Sequence, residues 1–156
     1  MRSRRSAREA VLQALYQCDT LGDYSRGVVD LYFDIFHGIR ESEVAPAIEE
    51  NYRFARRIIE GVALHLEEID EKIGSVSIHW SVVRMPRVDR NILRMALFEI
   101  EYCSDIPINV TLNEAIEVAK RFGSDDSPMF INGVLDKAAA GAAKRNGPES
   151  LKKAAG

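Results

Sequence analysis

The chain has 156 residues, of which 46% are apolar and 29% are charged, and its formal net charge at pH 7 is −3. This length suits one domain with a single core, and the charge excludes a protein that binds polyanions over its whole surface. Cys18 and Cys103 form no CxxC pair, and no apolar run approaches the roughly 20 residues that span a bilayer. We therefore expect a cytoplasmic protein without disulfides and without a membrane anchor.

Apolar residues recur at helical spacing along almost the whole chain, which predicts an all-α fold. The first helix is expected over about residues 6–20, with its end near Gly22. A third and a fourth helix are expected between about Pro46 and Ile73. The predicted apolar stripe of the second helix consists of Val28, Leu31, Tyr32, Ile35, Phe36 and Ile39.

Residues 74–81 break this pattern and predict the boundary between two half-bundles, at about 6–77 and 81–140, within one domain over residues 1–140. Trp80 precedes Ser81, which suggests a structural tryptophan that packs onto Met85 at the start of a helix. A fifth helix is expected after Pro86, a sixth before Gly123, and a seventh from the "SDDSP" turn onward. Residues 141–156 have no periodic apolar face and are expected to be a disordered tail.

Recognisable motifs for catalysis or for metal binding are lacking in the sequence. His37, His65 and His79 have no partners at ligand spacing, and there is no P-loop, no GxGxxG and no GxSxG. We therefore expect no enzyme, no cofactor and no metal site.

The amino end is unusually basic, because residues 1–10 contain four arginines against one glutamate. Cations at a helix N-terminus oppose the helix dipole, so an external anionic partner would explain them. On a helical wheel Arg5, Arg8, Leu12 and Tyr16 share a stripe that is offset from the apolar stripe. Guanidinium groups beside a ring suit single-stranded nucleic acid. The alternative is a solvated charged face with Tyr16 partly buried in the core.

A second candidate stripe lies on the seventh helix, where Asp126, Phe130 and Lys137 follow helical spacing. Phe130 is offset from the apolar stripe of this helix, so it either packs on a neighbouring helix or stacks on a ligand. Asp126 either caps the helix or accepts a hydrogen bond from a base or a ribose, because a carboxylate repels phosphate.

Three blocks of the sequence together resemble the NusB family of bacterial transcription antitermination factors, from about Ser6 to Ala140. They are "RSAREAVLQALYQCD", "HWSVVRMPRVDRNILRMALFEIEY" and "IPINVTLNEAIEVAKRFGSDDSPMFINGVLDKAA". The resemblance implies an all-α bundle of about seven helices in two perpendicular three-helix units, without enzymatic activity. It also implies binding of the boxA sequence of nascent ribosomal RNA together with the ribosomal protein NusE, in an elongation complex with RNA polymerase.

Carried over position by position, the resemblance assigns RNA-binding residues, to which the helix-seven stripe adds Lys137. These residues are Arg4, Arg5, Arg8, Tyr16, Asp126 and Phe130. Asp89 matches an acidic family position that faces NusE, with Arg90 beside it, although Asp89 at a helix N-terminus also has a purely structural explanation. The resemblance further suggests an ion pair between Arg94 and Glu114. The family includes monomers and homodimers, so the oligomeric state stays open.

Two other hypotheses remain beside RNA binding. One is a helical protein-interaction module that does not bind RNA directly. The other is the N-terminal domain of a ribosomal RNA methyltransferase, for which 156 residues leave no room for a catalytic domain. If about four phosphates are neutralised on single-stranded RNA, the log-log salt slope is expected to be about −3. Substitution of Arg5 or Arg8 by alanine is expected to weaken RNA binding and to leave the thermal midpoint unchanged.

Overall fold

A computed structural model describes the backbone of residues 1–36 and 46–145 and the side chains of residues 1–33 and 49–142. This part of the chain contains seven α-helices, one short 3-10 helix over Val82–Arg84, and no strand. The α-helices are α1 (Arg4–Leu21), α2 (Arg26–Phe36), α3 (Pro46–Leu64), α4 (Leu66–Val76), α5 (Arg87–Tyr102), α6 (Ile108–Phe122) and α7 (Ser127–Arg145). The predicted all-α fold of about seven helices is confirmed.

Helix α1 begins two residues earlier than predicted because its first turn is capped. The Ser3 hydroxyl accepts from the Ser6 backbone N–H, and the Ser6 hydroxyl accepts from the Ser3 backbone N–H. This reciprocal capping box satisfies two N–H groups that the helix leaves without partners. At the other end Gly22 adopts φ 63°, the left-handed conformation that glycine accepts without strain. The predicted stop at Gly22 is confirmed.

Helix α5 lies at the centre of the fold, since it packs against α1, α3, α4, α6 and α7. Its segment Asn91–Ile100 is buried throughout, which one helix can achieve only with neighbours on every side. The approach of α3 is especially close: a Cβ added to Gly61 would lie 2.1 Å from the Phe98 ring. Glycine at position 61 therefore sets how near these two helices can pack.

Three local expectations need correction. Among the described side chains of α2, Val29, Tyr32 and Phe33 are buried, whereas Leu31 is 54% exposed. Helix α4 continues through Gly74 to Val76, so the interruption of α-helical structure between α4 and α5 covers residues 77–86. Helix α7 extends to Arg145, five residues into the predicted tail.

The remaining expectations for these segments lie outside the described residues. They concern the side chains of Ile35 and Phe36, the position of Ile39, and the tail over residues 146–156.

Two structural features are absent from the described residues. None of their helices combines the length and the apolar character that crossing a membrane requires. No group of three or more His, Cys, Asp or Glu side chains there is arranged to hold a metal ion.

Candidate nucleic-acid interface

The arginines at the start of α1 have acidic partners within the fold, contrary to the premise that they are unpaired. The Arg5 guanidinium donates to both carboxylate oxygens of Glu114 on α6, at 2.9 and 3.0 Å. The hydrogen bond and the positive charge of Arg5 lower the pKa of the Glu114 carboxyl, although partial burial acts in the opposite direction. The Arg5 side chain is still 52% exposed, so a phosphate could compete with Glu114 for its guanidinium group.

Arg8 is not part of an open basic surface, which corrects the prediction for this residue. Its side chain is 2% exposed and donates to both carboxylate oxygens of Glu99, at 2.6 and 3.0 Å. The Thr111 hydroxyl also donates to Glu99, at 3.2 Å. A buried charge without a partner is very unfavourable, so this pair must be kept together. Arg8 therefore belongs to the packing between α1 and α5.

Arg4 remains largely accessible at the amino end. Its guanidinium lies over the Phe54 ring, 4.4 Å from the ring centre, and its Nη2 is 3.9 Å from Glu50 Oε1. The side chain is 45% exposed. A cation held over a ring can still present its outer edge to a phosphate. Of the arginines predicted to bind RNA, Arg4 is thus the one least committed to an internal ion pair.

Tyr16 lies on the same side of α1 as Arg5, on a surface that we term the α1–α6 edge (Arg5, Glu9, Tyr16, Glu114 and Arg121). Arg121 of α6 donates to both carboxylate oxygens of Glu9, at 2.6 and 2.7 Å. Tyr16 is 42% exposed, so its ring is available at this edge.

Phe130, Asp126 and Lys137 line two adjoining clefts between α7 and the α4–α5 connection. One cleft, of about 270 Å³, contains Phe130 and Lys137, and the other, of about 350 Å³, contains Phe130 and Asp126. Trp80 lines both clefts, and we term the pair the Trp80–Phe130 clefts. Asp126 and Lys137 are exposed, and Phe130 is partly buried.

The Trp80–Phe130 clefts therefore bring together only some of the predicted site residues. Tyr16 lines neither of the Trp80–Phe130 clefts. The start of α5 joins these clefts to the α1–α6 edge, because Arg87 donates to Thr20, one turn beyond Tyr16, while Asp89 lines the larger cleft.

Asp89 is 5% exposed, which corrects its placement on an open partner surface. Its carboxylate accepts a 2.6 Å hydrogen bond from the Ser127 hydroxyl at the start of α7. The Ser127 hydroxyl also accepts from the Ser124 backbone N–H, at 2.9 Å. Asp89 thus fixes the turn between α6 and α7, and that turn carries Asp126 into the larger cleft.

Arg90 is likewise engaged inside the fold, with two 2.6 Å hydrogen bonds to the Asp19 carboxylate of α1. Burial acts to raise the pKa of Asp19, but hydrogen bonds from Arg90 and Asn91 and the charge of Arg94 outweigh it and lower that pKa. Arg94 also donates to both carboxylate oxygens of Asp70, at 2.8 Å each. The suggested pair between Arg94 and Glu114 is therefore wrong, since each residue has another partner.

The position of Trp80 differs from the expected one, that of a packed structural tryptophan. Its ring is 52% exposed, and the Ser81 side chain makes no capping hydrogen bond. A 3-10 turn over Val82–Arg84 follows Ser81, and the fifth α-helix begins at Arg87, directly after Pro86 as predicted. The sequence does contain a signal for this exposure. A tryptophan in a segment without apolar periodicity has no apolar helix face on which it could be buried.

The fold is that of an all-α protein built around one central helix. The family model described as "NusB family" matches residues 5–140. The chain thus belongs to the NusB family of transcription antitermination proteins, and this membership confirms that it is not an enzyme.

Individual relatives agree with this assignment. The transcription antitermination protein NusB of Geobacter sp. (strain M21) is 46% identical over 143 residues, covering 90% of this chain and 96% of that protein. The corresponding protein of Desulfitobacterium hafniense (strain DSM 10664 / DCB-2) is 47% identical over 135 residues, covering 86% of each chain.

Solved structures share the same fold. NusB of T. maritima superposes with a TM-score of 0.75 at 37% identity, covering 90% of this chain and 93% of that chain. A crystal structure of the antitermination factors NusB and NusE in complex with dsRNA gives a TM-score of 0.75 at 23% identity, covering 90% of this chain and 98% of that chain. At this identity the second similarity supports the fold alone.

Proposed function

We propose that this protein binds single-stranded boxA RNA of nascent ribosomal RNA transcripts together with NusE, and so assists RNA polymerase in passing terminators in the cytoplasm. The observation that carries the proposal is the grouping of Phe130, Asp126 and Lys137 around adjoining clefts. The three side chains supply a stacking ring, a hydrogen-bond acceptor and a cation, which are the elements that unpaired RNA requires.

Each of these side chains has a separate role in the proposal. The Phe130 ring stacks on one unpaired base, and Lys137 neutralises a neighbouring phosphate. Asp126 accepts a hydrogen bond from a base amino group or from a ribose hydroxyl, since it would repel phosphate. Arg4 and Arg2 at the amino end provide further phosphate contacts, because both are exposed.

Internal ion pairs reduce the salt dependence that we expect for RNA binding. Arg8 is paired with Glu99 in the interior and does not reach a phosphate. Arg5 has to break its ion pair with Glu114 before it can bind a phosphate, so the energy of that pair is lost when Arg5 contacts RNA. With Arg2, Arg4 and Lys137 as the contacts, about three phosphates are neutralised and the log-log salt slope is about −2. This revises the slope of about −3 expected from the sequence.

Asp89 and Arg90 affect NusE binding indirectly in this proposal. Asp89 holds Ser127, and Arg90 donates to the Val83 carbonyl at 3.4 Å, so the two residues fix the segments on either side of the larger cleft. Replacing Asp89 by asparagine should therefore weaken NusE association and lower the thermal midpoint together. A weaker association at an unchanged midpoint would instead favour direct contact with NusE.

The decisive experiment is a titration of labelled boxA RNA and of a scrambled RNA, each with and without NusE. We expect tighter binding of boxA than of the scrambled RNA, and a further gain when NusE is present. Equal binding of both RNAs would contradict boxA recognition. Binding of NusE without any RNA binding would favour the alternative, a protein-interaction module, which the internal pairing of Arg5 and Arg8 also supports. Sedimentation of the free protein, over a range of concentrations, tests for a homodimer.

A further inference from the structure

Trp80 is exposed at the surface and does not pack in the hydrophobic core. It is 52% exposed and lies outside the apolar cluster that joins the seven helices. It follows α4 in the connection to α5, on a segment that also exposes Ile78 (73%) and Val83 (85%). Large apolar side chains that are grouped at a surface mark a site of interaction more often than an accident of packing.

The position of Trp80 relative to Phe130 is more informative than its exposure. The two rings line both adjoining clefts, one from the α4–α5 connection and one from α7. A base that is stacked on Phe130 in either cleft is thus bordered by Trp80 as well. Tryptophan offers the larger of the two ring faces.

The charges around the two rings favour a nucleic acid over an apolar protein segment. Lys137 lines the smaller cleft and Arg84 lines the larger one, and both are exposed. Neither side chain makes an ion pair within the described part of the chain. One such cation in each cleft, beside the two rings that line both, matches the alternation of phosphates and bases along a single strand.

We infer that Trp80 and Phe130 form a two-ring platform for consecutive unpaired bases of RNA, with Arg84 and Lys137 at the flanking phosphates. This inference rests on the proposed function and adds Trp80 and Arg84 to its binding site. An apolar protein segment on Trp80 is the competing occupant, and the experiment below separates the two.

Trp80 is the single tryptophan of the chain, so its fluorescence reports on the platform alone. Unlabelled boxA RNA is titrated into the full-length protein while the indole emission is recorded, and a labelled boxA RNA gives the affinity independently by anisotropy. We expect quenching of the emission that saturates at the same RNA concentration as the anisotropy. RNA binding without any change in emission would overturn the platform but leave the proposed function intact.

Variants supply the second readout. Trp80→Ala should weaken boxA binding by about 5- to 150-fold, and Trp80→Phe should restore most of that affinity, because one stacked base contributes about 1–3 kcal/mol. Tyr102→Ala is the matched control, since Tyr102 is a 40% exposed ring beside Glu68 on a different surface. Unchanged affinity in Trp80→Ala, with an unchanged thermal midpoint, would overturn the inference.

Two other results have distinct meanings. If neither RNA binds the wild-type protein, with or without NusE, the proposed function fails and the platform fails with it. If NusE alone quenches Trp80 and RNA does not, the clefts take a protein segment and the two-ring platform is wrong.

Discussion

The Arg8 guanidinium and the Glu99 carboxylate form an ion pair in the interior, with N–O distances of 2.6 and 3.0 Å and side-chain exposures of 2% and 1%. This pair joins α1 to α5, and the Phe54 ring of α3 lies 5.1 Å from the guanidinium. One arginine of the basic amino end is therefore a structural element at the meeting point of three helices.

Arg8→Ala should destabilise the fold by about 3–5 kcal/mol, because it leaves the Glu99 charge buried without its partner. The double variant Arg8→Met with Glu99→Leu should recover most of this loss, since neither charge then remains. Chemical denaturation measures both. Arg26→Ala, at an 85% exposed position on α2, is the control and should change little. A small effect of Arg8→Ala would place its guanidinium in solvent.

Glu114→Gln should strengthen RNA binding and steepen its salt dependence, because Arg5 then loses the carboxylate that competes with phosphate. The measurement is the affinity for boxA RNA at several salt concentrations. Glu49→Gln is a matched control, since Glu49 also pairs with an exposed arginine, Arg53, but on α3. No difference between the two variants would indicate that Arg5 does not contact RNA.

Phe130→Leu should weaken boxA binding by about 1–3 kcal/mol, because it removes a stacking ring and keeps an apolar side chain of similar size. Anisotropy gives the affinity, and the thermal midpoint separates binding from folding. Phe122→Leu is the control, because Phe122 is also a partly buried phenylalanine but lies on α6. A large fall of the midpoint at unchanged RNA affinity would make Phe130 a core residue.

Acid should weaken the fold through Asp19, whose pKa lies below its ordinary value near 3.8. A lowered pKa means that the ionised carboxylate stabilises the folded state above about pH 4 and that this stabilisation is lost as the pH falls through the lowered pKa. Asp19→Asn should be less stable at neutral pH and should show a flatter loss of stability toward acid. Thermal midpoints between pH 2 and pH 7 measure this difference.

Asp136→Asn is the control for the acid experiment. Asp136 is exposed on α7 and makes no ion pair among the described residues. The thermal midpoint of Asp136→Asn should depend on pH in the same way as that of the wild-type protein. If both variants lose stability toward acid less steeply, Asp19 is not the cause of the acid effect.

Gly61→Ala should destabilise the protein by about 1–3 kcal/mol, because the new Cβ would lie 2.1 Å from the Phe98 ring and would force α3 away from α5. Gly74→Ala is the paired comparison within α4, where nothing lies within 4 Å of an added Cβ. It should be neutral or stabilising by up to about 1 kcal/mol, since alanine favours helix. Denaturation curves that rank the two variants in the opposite order would contradict this packing.

The helices are predictable from the sequence because their causes are local. Apolar spacing, Gly22 and the prolines act within a few residues of the elements that they define. The same local information placed Phe130 and Lys137 on α7 and Asp126 next to its start, where all three line the clefts. It failed where the buried face of a helix depends on its neighbours, as for Leu31 in α2.

The role of each basic residue depends on the packing of helices that are distant in the sequence. Arg5 and Arg8 are three positions apart, yet one stays half-exposed with Glu114 and the other is buried with Glu99. Their partners lie 109 and 91 positions further along the chain, so no local pattern could distinguish them. An ion pair depends on the distance between two charges in space and on their exposure to water, and only the packing of distant helices sets these quantities. The same packing brought Trp80 from an irregular connection to the side of Phe130.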